Sequence, residues 1–428
     1  MTRVGLAVHR TFHSLHTRNF RLFFIGQLVS VIGTWTNATA SAWLVLHLSD
    51  SGVALGINTA LTFLPVLLVG AFGGLMADRF DKRKILIGTQ TAYAVLAAAL
   101  FSIAVTDVAQ LWMVYVLSFS AGLVTALDNP TRQSFYMELV GERDVTNAVS
   151  LNSAVFTGAR IVGPALAGLI IAATHGSTAP CFLIDAISYV AVIGALLAMR
   201  PDDMHLRDRD GRERGSIRDG FHYVWETPEL RRPLVVMAVV FTFAFNWSVL
   251  LPLLAKHTFH GGAGTFGAMS ALAGVGSFSA ALVMANRASA RTQAPSLRRL
   301  AIWALVSGVA LVGVSLAPTL ELAYVSMIPL GLTVMSFIIT ANSMLQLSSK
   351  PEYRGRVMAL YGMVFLGSTP IGAPIAGWLA QVAGPRAGFV MGAAAAFIGG
   401  LGALWWRSRT ATPAPQAIGE DVVEPVAI

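Results

Sequence analysis

A chain of 428 residues that is 55% hydrophobic and only 12% charged falls outside the ordinary water-soluble class, in which about a quarter of residues are charged. Its net charge of +8 would suit nucleic acid, but Lys and Arg lie in short gaps between apolar stretches, where anionic lipid and topology account for them, so no nucleic-acid partner is expected. One cysteine, Cys181, excludes an intramolecular disulfide and a cysteine-based metal cluster.

Residues 1–19 read as a basic cytoplasmic arm, and the apolar stretch behind them is too long for a signal-peptide core. Twelve apolar spans follow, at roughly 20–46, 53–76, 85–105, 110–130, 147–173, 179–199, 234–255, 264–286, 299–317, 320–345, 357–380 and 386–406. Each is near the ~20 residues that a helix needs to cross a bilayer. Continuous apolarity argues for helices over barrel strands, which alternate. The expected class is an all-α integral membrane protein with twelve transmembrane helices in two pseudo-symmetric six-helix bundles, over 20–200 and 233–406. Between them, 201–232 is a charged cytoplasmic linker. Its later part, Ile217–Leu230, spaces Ile217, Phe221, Val224 and Trp225 on one face of an interfacial amphipathic helix. Residues 407–428 read as a disordered cytoplasmic tail.

Charge gives the orientation. Of 30 Lys and Arg residues, 27 fall in the N-terminal arm, the tail or every second gap. The remaining gaps hold Lys256 and Arg386 alone, and Arg160 lies inside a span. Positive residues are retained on the cytoplasmic side, so both termini are expected inside the cell (inner) membrane. The halves also carry a faint repeat. A shift of 209 residues aligns Leu151 with Leu360, Gly163 with Gly372, Ala167 with Ala376 and Gly168 with Gly377. Duplicated halves with a substrate site between them are a transporter layout.

The strongest motif is Gly74-Leu-Met-Ala-Asp78-Arg79-Phe-Asp-Lys82-Arg83-Lys84, between spans two and three. Asp78 at a helix end can pair with an arginine or cap a neighbouring helix, closing the cytoplasmic side; the alternative is a solvated charge cluster. The segment resembles the loop signature of the major facilitator superfamily, departing from it at Asp81 and Lys82. Asp128-Asn-Pro-Thr-Arg132-Gln-Ser-Phe, Asn147 to Asn152, Ala159-Arg160-Ile-Val-Gly163-Pro164 to Gly168, and Arg354 to Tyr361 resemble its enterobactin-exporter and macrolide-efflux branch.

The resemblance implies alternating access, a cytoplasmic lock of Gly74, Asp78, Arg79, Arg83, Asp128 and Arg132, and an antiporter-like motif at Gly163, Pro164 and Gly168. It also implies a substrate cavity drawing on Gln27, Trp35, Asn37, Phe241, Phe245, Asn246, Trp247, Asn342 and Gln346. Ionisable groups in membrane helices are functional by default. Asp185 is the one acid well inside a span and Asp128 lies near a span end, so either can carry a coupling proton; structural hydrogen bonding, or pairing with Arg132, are the alternatives. Arg160 either attracts an anionic group or a coupling acid, or pairs with an Asp to hold helices together. His257 and His260 lack a third convergent ligand, so no metal is expected, and no P-loop or nucleophile motif points to an enzyme or a cofactor. The reading is a monomeric secondary transporter in contact with lipid, exporting a small amphipathic drug-like or siderophore-like molecule against protons. The alternatives are an uptake permease and a non-transporting receptor or scaffold.

Overall fold

The computed structural model describes residues 13–205, 217–289 and 295–408, so most of the N-terminal arm and nearly all of the expected tail lie outside it. Every regular element among the described residues is helical. The first half holds α1 (Arg18–Ser49), α2 (Gly52–Arg79), α3 (Lys82–Val105), α4 (Leu111–Ala173) and α5 (Ala179–Leu197). The linker helix α6 (Ile217–Glu226) follows. The second half holds α7 (Pro228–Ala244), α8 (Trp247–Leu253), α9 (Ala263–Ser289), α10 (Leu297–Leu316), α11 (Leu320–Ser348), α12 (Arg354–Gly367), α13 (Thr369–Ala383) and α14 (Pro385–Ser408).

Local chemistry sets several boundaries. Ser51 caps α2 by accepting from the Ala54 amide, and Asp81, the departure from the loop signature, caps α3 by accepting from Lys84 N at 3.1 Å. The linker helix ends at Glu226, short of the expected Leu230, because Pro228 disfavours helical backbone in the residue before it and opens α7 instead. The largest departure is α4. The polar gap expected between spans four and five stays helical, so one 63-residue element runs through it, bent at Gly141. Gly141 has φ 75 and ψ 177, a conformation that a side chain would strain. Spans seven and eleven are also interrupted, at Phe245–Asn246 and at Ser368.

Among the described residues, ten segments are long and apolar enough to cross a membrane. The longest of them, α4, is bent at Gly141 and covers the expected spans four and five, while α1, which carries Asn19, Arg21, Gln27 and Asn37, falls outside the ten. The basic gaps gather at one end of the molecule. There Ser14 bonds Asn147 Oδ1, Asn19 exchanges bonds with Arg200, and His205 N donates to Glu138 O at 2.8 Å. The linker helix belongs to the second half at this same basic end. Tyr223 stacks on Tyr353 at 4.3 Å, its hydroxyl accepts from Lys350 N, and Val224 is buried, while Phe221 and Trp225 stay exposed and stacked together.

The halves meet along two seams, α4 against α9 and α2 against α13. Apolar surface gains little by leaving lipid, so close approach through small residues holds such seams. The repeat is visible here in packing. A Cβ on Gly163 would strike Trp35 of α1, and one on Gly372 would strike Thr242 of α7, each the first span of its own half. Gly168 abuts Gly267 and Ala263 across one seam, and Gly377 abuts Gly52 and Gly56 across the other. All of these seam contacts lie toward the end remote from the termini.

Candidate functional site

The remote end is also closed by polar contacts between the halves. Lys256 Nζ pairs with Asp50 Oδ1 at 2.7 Å and donates to Leu46 O at 3.3 Å, while His257 lies 3.4 Å from the same carboxylate. Asp50 closes α1 in a left-handed conformation, φ 48. The hydrogen bond from Lys256 holds the Asp50 carboxyl below the usual aspartate range. Beside it, Ser51 Oγ and Val53 N both donate to Gln381 Oε1, at 2.7 and 3.2 Å. Sequence reading missed this latch, although Lys256 was one of two exceptions to the charge pattern. The other, Arg386, donates to Ala317 O at 2.7 Å inside the second half.

Toward the basic end the glycines of α2 and α4 no longer abut the other half. Added Cβ atoms at Gly74 of α2, Gly158 of α4, and Gly355 and Gly362 of α12 would meet nothing within 4 Å. Asp78 and Arg79 are exposed at the end of α2. Arg83 donates to Leu196 O at 2.7 Å and Leu197 O at 3.1 Å, satisfying the end of α5, and Lys82 pairs with Glu138. These contacts of Arg83 and Lys82 stay within the first half.

Asp128 is fully buried in the first bundle. Arg132 Nη2 pairs with its Oδ2 at 2.8 Å, one helical turn on, and Thr89 Oγ1 and Gln90 Nε2 donate to Oδ1 at 2.8 and 2.9 Å. Arg132 also donates to Gln27 Oε1 and Asn129 Oδ1 and lies over the Phe156 ring. Gln27, expected on the cavity wall, is thus 3% exposed and belongs to this network. Next to it Tyr93 and Tyr189 stack at 5.3 Å, their hydroxyls bonded to Thr125 and Thr34. None of Thr89, Gln90, Tyr93 or Tyr189 carried a motif that would have singled it out.

Asp185 lies on α5 against α1, one helical turn before Tyr189, which links it to that network. Asn37 Nδ2 donates to its Oδ2 at 2.6 Å, and Oδ1 lies against Gly33 without a hydrogen-bond partner. No cation pairs with it among the described residues. Arg160, midway along the second arm of α4, lies 5.2 Å over the Trp35 ring, and its carbonyl faces Gly274 of α9 across the seam.

The second half contributes aromatic rings. Phe241 contacts Phe245, Phe337 and Phe365 at 4.9 to 5.8 Å, and Tyr361 stacks on Phe365. Trp247 follows the break in span seven, near Phe245, with a buried indole N–H that has no partner among the described residues. Asn246 donates to Thr242 O across that break, and Gln346 donates to Asn342. Phe241 and Asn246 are 4% and 2% exposed, so both serve the bundle interior here in place of an open wall.

The description of one protein family, transmembrane secretion effector, matches residues 9–422. The chain belongs to this major facilitator family. It is therefore a multi-pass membrane transporter. Its relatives include the staphyloferrin A transporter of Staphylococcus aureus, 25% identical over 85% of this chain and 90% of that one. The macrolide efflux protein A of Streptococcus pyogenes is 24% identical over 87% and 92%. The multidrug efflux pump Tap of Mycolicibacterium fortuitum is 27% identical over 86% and 91%. Among solved structures, a bacterial homologue of the lysosomal transporter Spinster, inward-facing and unoccupied, superposes with a TM-score of 0.71 at 14% identity, covering 92% of this chain and 98% of that one. A POT family transporter in complex with 5-aminolevulinic acid gives 0.74 at 12% identity, over 92% and 97%. At these identities the structures establish the fold alone.

Proposed function

We propose that this transporter exports a small amphipathic molecule from the cytoplasm by alternating access, driven by proton entry, with both termini cytoplasmic. The observation that carries the reading is the asymmetry of the seams. Glycines, the Asp50–Lys256 pair and Gln381 join the halves at the less basic end, while glycines of the same helices stand free toward the basic end. With Lys and Arg retained inside, this is the conformation that opens to the cytoplasm. The efflux functions named for two relatives support the direction, and the siderophore named for a third supports a small-molecule substrate.

Coupling is assigned to Asp185 ahead of Asp128. Asp128 is already balanced by Arg132, whereas Asp185 lies inside a span with an open oxygen and no cation. An acid in that setting is expected to bind and release a proton during the cycle. The test is transport in vesicles of Asp185→Asn, read both uphill under an imposed pH gradient and downhill without one. A coupling residue loses the first and keeps part of the second; uphill export at the wild-type rate would refute the assignment. Orientation is checked in intact cells with an impermeant thiol reagent. Cysteines at Ser51, Ser177 and Gly262 should react from outside and one at Ser216 should not, against a silent background because Cys181 is buried.

A further inference from the structure

Among the described residues no carboxylate balances the charge of Arg160. It occupies the middle of a membrane-spanning arm and is only partly buried, so its guanidinium faces either lipid or the space between the halves. Its neighbours decide which. Trp35 of α1 lies beneath it and Gly274 of α9 touches its carbonyl, so the residue sits where one half meets the other. Among the described residues no aspartate or glutamate is ion-paired with it.

The supply of carboxylates is short throughout. The described helices of the second half carry Glu229 and Glu321 in their first turns and no acid deeper, so no rocking motion brings one from that side to mid-depth. In the first half Asp128 is held by Arg132, and Asp185 is bonded to Asn37. A ring beneath a guanidinium offsets part of the cost of removing it from water, but a cation at this depth calls for an anion or water as well. Across the seam the second half offers the Phe241, Phe245, Phe337 and Phe365 cluster, and the indole N–H of Trp247, a further donor without an acceptor among the described residues.

From this pairing of donors with rings we infer that Arg160 recognises an anionic head, a carboxylate or its equivalent, on a transported molecule whose apolar body packs on the half-buried rings of Phe245, Tyr361 and Phe365, which the buried Phe241 and Phe337 back from inside the second half. The inference rests on the transport reading only in that the molecule must enter between the halves; it is independent of direction and of proton coupling. Arg160 is a binding residue in this account, with Trp35 positioning its guanidinium from below.

The experiment is equilibrium binding, so that failure of export or of coupling leaves it readable. The probes are 2-naphthoate and 2-naphthamide, which share a body and differ in charge, titrated calorimetrically into the purified full-length protein. Wild type should bind the acid at least tenfold more tightly than the amide, a comparison that needs no variant. Arg160→Gln should lose at least tenfold for the acid and leave the amide unchanged, and Arg160→Lys should retain most of the preference. On an Asp185→Asn background the effect of Arg160→Gln should persist, which separates a substrate anion from an internal partner. Equal affinities, no binding of either probe, a preference that survives Arg160→Gln, or loss of the effect on the Asp185→Asn background would each overturn the inference.

Discussion

Replacing Gly56 with alanine adds one methyl group at the seam of α2 and α13, where backbone stands in its way. The new Cβ would lie 2.5 Å from Ala373 O, 2.8 Å from Pro374 Cα and 3.0 Å from Ala373 C. None of these atoms can rotate aside, so the two helices must separate by some tenths of an ångström. Overpacking of this kind costs about 1–3 kcal/mol. The cost applies only while the halves are joined at the remote end, so it shifts the equilibrium between joined and parted states by roughly 5–150-fold toward the parted one. Spin labels at Ser177→Cys and Glu321→Cys, one exposed position near the remote end of each half, would report the change as growth of a longer-distance population. Gly194→Ala is the control, because an added Cβ there meets nothing within 4 Å. An unchanged distance distribution in a folded Gly56→Ala protein, or the same shift with Gly194→Ala, would refute the reasoning.

Asp50→Asn should act in the same direction but more weakly. Asp50 is 62% exposed, and exposed ion pairs contribute about 0.2–1 kcal/mol, so the same labels should move by no more than about fivefold, less at high salt. Because Lys256 lowers the Asp50 carboxyl in the joined state, the latch is fully present above the ordinary aspartate range and is lost as pH falls below it; distances recorded down to acid pH should show the Asp50 contribution vanish there and not near neutrality. Asp128→Asn should be the most damaging single change to folding, since it leaves Arg132 buried without a countercharge at a cost of about 3–5 kcal/mol. Its thermal melting in detergent should drop sharply and recover in part in the Asp128→Asn, Arg132→Gln double variant.

Spans, bundles and the basic end were legible because each is written in the local run of residues. Apolarity marks the helices, and alternate gaps carry the arginines. The 209-residue repeat likewise predicted a real equivalence, since Gly163 and Gly372 each pack on the first span of their half. The helical passage through 131–146 was not legible, because its polar residues read as a loop when nothing indicates that α3, α5 and residue His205 pack around it. The site divides in the same way. Asp128 and Arg132 are one helical turn apart and can be paired on spacing alone. Asp50 with Lys256, Asn37 with Asp185 and Trp35 with Arg160 are separated by 125 to 206 residues, and a single sequence holds no record of such meetings.

The attachments of the linker bear on how much the chain's continuity matters. Residues 200–205 are fastened to the first half through Asn19 and Glu138, and α6 is fastened to the second through Lys350 and Tyr353. Only the 11 residues 206–216 join one body to the other. Register between the halves is dictated by the glycine seams, which involve no residue of the linker. The surfaces that hold the halves together thus lie wholly outside that stretch, and a gene divided within it would encode two fragments that each retain them.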